Sequence, residues 1–177
     1  MQIFKISPVV FDNDLYQTTP LYITGDKVWD GGISLEDSLA EKTKFYDTAS
    51  KMADTIKRLI IKLDEEVYIG ECYCEHNQLY AHWSDLKKND LFRSISAIIK
   101  KRKSYKLDLS EDNNIIDMVV EANFRYLTHM SFYFSKNNLI IQPTCHTELA
   151  IYSRDKTMVC RSINEIIEDF SEFQLID

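Results

Sequence analysis

From Leu35 to Ile69 the chain runs 35 residues without a glycine or a proline. Glycine weakens helices through backbone entropy, and proline through its missing N–H and its ring clash, so a run this long without either can form one extended helix. Within it Ala49, Met52, Ala53, Ile56, Leu59, Ile60 and Leu63 recur at steps of three and four. That spacing places them on one face of an amphipathic helix. Ser34 with Asp37 three positions on has the form of an N-cap, and Leu63-Asp64-Glu65-Glu66 closes the segment before the strand-like VYIGECYC. A helix of this kind needs a second apolar surface to cover its stripe.

The rest of the chain offers strands and further helices. QIFKISPVVF is strand-like but broken at Pro8, and LYITGDKVWDGG reads as a short strand or loop closed by Asp30-Gly31-Gly32. SDLKKNDLFRSISAIIKKRK predicts a second helix with Leu86, Leu91 or Phe92, Ile95, Ile98 and Ile99 inward. Lys100 to Lys103 lie in its last turn, where the helix dipole favours positive charge. YKLDL alternates as a strand does. EDNNIIDMVVEANFRYLTH predicts a third helix capped by Asp112, with Ile115, Val119, Ala122 and Tyr126 on one face.

MSFYFS, NLIIQ and ELAIYS are short β-rich runs separated by KN and PTCHT, the pattern of an antiparallel meander. DKTMVCRS adds a short strand, and SINEIIEDFSEF a final helix with Ser162 as cap and Glu165 at the box position. Strands punctuated by helices without a regular βαβ repeat argue for one α+β domain over residues 1–177, mainly antiparallel sheet with about three to four helices.

Composition narrows function by exclusion. The four glycines, Gly25, Gly31, Gly32 and Gly70, do not fall at the spacing of either common nucleotide-binding loop, so no cofactor is expected. No apolar run approaches a membrane span, and the N-terminus lacks the form of a secretory signal. A cytoplasmic protein with free thiols at Cys72, Cys74, Cys145 and Cys160 is the expectation. The net charge of -7 conceals an asymmetry: Asp85 to Lys106 holds eight cations and two acids, net +6, which leaves the remainder at -13. An acidic body repels nucleic acid and attracts basic partners.

Tyr68 to Trp83, YIGECYCEHNQLYAHW, concentrates candidate ligands. In an extended strand Cys72, Cys74 and His76 share one face, and Glu71, Tyr73 and Glu75 the other. Same-face neighbours lie roughly 6.6 Å apart, too far for adjacent thiolates to reach one zinc without a bent backbone. Only Cys145 and His146 could complete such a site, and no metal is expected. The stretch reads as a hairpin with EHNQ as its turn. Cys145 beside His146 invites a nucleophile and base, yet neighbours in an extended strand point apart, and nothing local supplies an orienting group or an oxyanion hole. His82 and His129 read as partly buried, hydrogen-bonded side chains. Lys87 to Lys106 is the candidate phosphate-contacting patch, with few aromatics to stack bases.

FYFSKNNLIIQPTCHTELAIYSRD followed by SINEIIEDF, in an acidic α+β chain of this size, is similar to bacterial immunity proteins of contact-dependent growth-inhibition and other polymorphic toxin systems. The resemblance implies a cognate toxin domain, often a nuclease, bound tightly in the cytoplasm of the producing cell. It assigns no residue. From the residues themselves, Glu71, Tyr73 and Glu75 are the candidate partner contacts, because carboxylates and aromatic anchors suit a cationic target; the five acids after Arg161 form a second electrostatic face. Two rivals stand beside an inhibitor. A small hydrolase predicts Cys145, a histidine and a carboxylate in one pocket, and a nucleic-acid regulator predicts Lys87 to Lys106 along one exposed stripe.

Overall fold

In the computed structural model, the residues described are 13–27, 29, 37–70, 105–125 and 129–177. Helix α1 spans Leu39–Leu63. Its cap is Ser38, whose hydroxyl accepts from the Glu41 N–H at 3.2 Å, whereas Ser34, the expected cap, lies outside the described residues. Phe45, Ala49, Met52, Ala53, Ile56, Leu59 and Ile60 are buried along one face, as the stripe predicts. At the other end Asp64 takes the left-handed conformation, φ 44°, and its N–H closes on the Ile60 and Ile61 carbonyls. That geometry ends the helix by satisfying carbonyls that would otherwise have no partner.

One antiparallel sheet covers the stripe. Its strands are β1 Leu21–Gly25, β2 Val67–Gly70, β3 Tyr105–Lys106, β4 Ser131–Phe134, β5 Leu139–Pro143, β6 Leu149–Ser153 and β7 Phe173–Ile176. Their order is β3-β2-β4-β5-β6-β1-β7. The expected meander is β4 to β6, with Phe132 opposite Ile141 and Ile141 opposite Ile151. Alternation aims Val67, Ile69, Phe132, Phe134, Ile141 and Ile151 at the helices. The chain is an α+β fold with three helices among the described residues.

Helix α2 spans Leu109–Phe124 and α3 spans Lys156–Ile167. Both start earlier than expected. Asp108, not Asp112, caps α2 by accepting from the Ser110 N–H at 3.0 Å, which leaves only two residues of YKLDL in the sheet. Asp155 caps α3 by accepting from the Met158 N–H at 3.0 Å, so DKTMVCRS is helix and not strand. Val159, Ile163, Ile166 and Ile167 form the buried stripe that extends the helix back past Ser162. The helix also ends at Ile167, short of the expected Phe173, and Phe173–Ile176 pairs with β1 as the edge strand β7.

The opposite face of the sheet carries Tyr68, Tyr133, Ile140 and Tyr152 across one row. A short 3-10 turn, Asn13–Gln17, lies over it and buries Leu15 against Tyr133 and Ile140. The Tyr16 hydroxyl donates to Ser131 Oγ at 2.8 Å, and its ring meets Tyr152 edge-on at 4.9 Å. Both faces of the sheet's centre are thereby covered.

Candidate functional site

Where α1 ends, four segments converge. The last turn of α1, the start of β2, the β3–α2 junction and the β4–β5 turn enclose an open cleft of about 930 Å³, lined by Ile60, Ile61, Asp64, Glu65, Glu66, Lys106, Leu107, Asp108, Leu109 and Lys136. Its floor is apolar: Ile60 and Leu107 are nearly buried, while Ile61 is 69% exposed. Its rim carries three exposed carboxylates, Asp64, Glu66 and Asp108, against two ammonium groups, with a fourth carboxylate, Glu65, buried behind them.

The carboxylates have different duties. Glu65 is buried, and its two oxygens accept from the Lys136 N–H at 2.6 Å, the Asn137 N–H at 3.2 Å and Asn137 Nδ2 at 2.6 Å. It holds the β4–β5 turn to the end of α1, because a buried carboxylate is tolerated only when its lone pairs are met. Glu66 pairs with Lys106 and accepts from the Tyr68 hydroxyl at 2.8 Å. Those two bonds, Lys106 first, hold its carboxyl below the usual range. Asp108 is likewise lowered by Ser110, whose hydroxyl and N–H both donate to it. Asp64 is exposed, and its carboxylate has no partner among the described residues. The Lys136 ammonium instead donates to the Asp64 carbonyl at 3.2 Å.

Helix ends sharpen this potential. The C-terminus of α1 presents partial negative charge to the cleft, and the opposing positive end of α2 is offset by Asp108. The cleft is thus an apolar floor within a carboxylate rim, suited to a cationic group on an aliphatic stem.

The acids after Arg161 are differently placed. Glu165 pairs with Lys62, Asp169 with Arg58, Glu172 with Lys51 and Asp177 with Lys156. Three of these four bonds join α1 to α3 or to the segment after it. They answer the acids from within the chain, so this expected second face is largely neutralised.

Glu71, Tyr73 and Glu75, with Cys72, Cys74 and His76, lie outside the described residues, as do His82 and the basic run Lys87 to Lys103. Only Lys106 of that patch is described, bound to Glu66. Cys145 and His146 occupy the β5–β6 turn, closed by the Thr144 N–H donating to the Glu148 carbonyl at 2.8 Å and by Thr147 at φ 59°. His146 is exposed there, and burial lowers the His129 imidazole from its ordinary value. Among the described residues no group of three or more His, Cys, Asp or Glu side chains could hold a metal ion, and no helix is long and apolar enough to cross a membrane. No family model, curated protein or solved structure matches the chain.

Sequence reasoning missed the cleft. The available signal was Ile61 itself: in the breaker-free segment it is the apolar residue beside Ile60 that falls off the inward stripe, and three residues later the acids begin.

Proposed function

We propose that this chain is an immunity protein: a cytoplasmic inhibitor that binds a cognate basic toxin domain, a nuclease by preference, and occludes its active site. The observation that carries the reading is the carboxylate-rimmed, apolar-floored cleft on a chain of net charge -7. A nuclease site gathers cations to bind phosphodiesters, so an inhibitor that presents carboxylates over an apolar anchor point opposes it in charge and excludes its substrate. Tyr68 lies on the other face of the sheet and supports the rim only by donating its hydroxyl to Glu66.

The test is purification from the native host followed by mass measurement, and then titration of the isolated chain against the recovered partner. A one-to-one complex with a basic protein whose activity falls stoichiometrically as the chain is added supports the reading. Recovery of the chain alone or with nucleic acid, or turnover of a small substrate by the purified chain, overturns it.

A further inference from the structure

Resting on the inhibitor reading above, we infer that the cleft at the C-terminal end of α1 is the docking surface, and that the partner seats in it a lysine or arginine side chain flanked by an apolar one. Ile61 is the first reason. At 69% exposure it is an aliphatic side chain left in solvent at the edge of a floor that Ile60, Leu107 and Leu109 continue. Lysine and arginine carry methylene stems that lie along apolar surface while the charged head stays at the polar rim. A phosphate would meet the exposed carboxylates of Asp64, Glu66 and Asp108 and be repelled.

Charge complementarity is the second reason. Asp64 has a carboxylate without a partner among the described residues, next to the carbonyl end of α1. Hydrogen bonds from Lys106 and Tyr68 to Glu66, and from Ser110 to Asp108, lower both carboxyls from their ordinary values and so favour the charged form. Each carboxylate offers about four lone-pair sites, so a cation can join the bonds Glu66 and Asp108 already make. The rim's own cations do not compete for Asp64: Lys106 is held by Glu66, and Lys136 reaches a carbonyl. Along the α1–α3 seam, by contrast, the acids are already matched to Lys51, Arg58 and Lys62. In the cleft, a carboxylate without a partner among the described residues stands beside an apolar floor.

The experiment uses the full chain and the basic protein recovered with it in the one-to-one complex. Ile61→Glu and Asp64→Lys are each expected to weaken the complex by about ten-fold or more, Asp64→Lys with a slower, less salt-sensitive association. Arg58→Ala, on the seam, is the control and leaves the affinity unchanged. Because Ile61 is exposed, the circular dichroism melt of Ile61→Glu should match wild type; Asp64→Lys sets a lysine at φ 44° and should melt slightly lower, so its affinity is read well below that melt. A zero-length carbodiimide crosslink is expected to join Asp64 or Asp108 to a lysine of the partner. If both variants bind as wild type does, the docking inference fails while the inhibitor reading stands. Crosslinks that run from Asp64 and Asp108 only to lysines of the same chain, or to a second copy of it, assign the cleft another occupant and overturn the inference. If wild type itself forms no complex, both fall together.

Discussion

Two charged regions of this molecule are built from the same residue types and end in opposite states. Along the α1–α3 seam, Lys51, Arg58 and Lys62 meet Glu172, Asp169 and Glu165; Lys51 and Arg58 also pair with Asp47 and Asp54 of α1 itself, and Arg58 lies over the Phe170 ring at 4.9 Å. In the cleft, a few residues beyond Lys62, the Asp64 carboxylate faces outward with no partner among the described residues. Both stretches are rich in acidic residues. What separates them is whether another element of the fold arrives with the opposite charge, so a count of acids along the chain cannot locate a binding surface.

The comparison can be broken most forcefully at Glu65. Replacing it with alanine leaves the N–H groups of Lys136 and Asn137 without their acceptor, and should destabilise the fold by about 2–3 kcal/mol in urea denaturation. A loss below about 0.5 kcal/mol would mean that this carboxylate belongs with the exposed rim and not with the scaffold. Asp64→Gly divides stability from binding in one substitution. Asp64 holds φ 44°, which glycine adopts freely, so the fold should gain about 0.5–1 kcal/mol in the same denaturation measurement while affinity for the partner falls. A variant that binds better as it becomes more stable would remove Asp64 from the rim's function.

The smallest effect belongs to the seam. Lys51→Met should lower the denaturation midpoint only slightly at neutral pH and leave partner affinity untouched, because exposed ion pairs are screened and entropically opposed. Its pH dependence has a definite sign. The Glu172 carboxyl is held below its ordinary value of 4.5, chiefly by Lys51. A lowered carboxyl stabilises the fold above its ordinary value and loses that contribution as pH falls through the lowered one. The small difference between wild type and Lys51→Met should therefore persist at neutral pH and vanish in acid. A difference that grows in acid would contradict the pairing.

Much of the architecture was legible from periodicity. The α1 stripe and the β4–β6 meander repeat at steps that only a helix or a strand satisfies, and both came out where the pattern places them. The ends were less readable. Ser38, Asp108 and Asp155 each accept from an N–H two or three residues on, while Asp112 and Ser162 carried the same chemistry at neighbouring positions. Several polar residues near a helix start can cap it, and burial of Val159 decides among them for α3. FQLI is short and follows a helix, so only its pairing with Tyr22 to Gly25 makes it a strand.

Sequence alone determined that this chain is α+β, acidic, and centred on one long amphipathic helix, because those properties follow from composition and from local periods of two and 3.6 residues. Tertiary structure alone decided which acids are neutralised. The cleft draws on residues 60–66, 106–109 and 136, and the seam joins residues more than 100 positions apart. Coulombic interaction depends on distance in space, and distance in space is set only when the chain has folded.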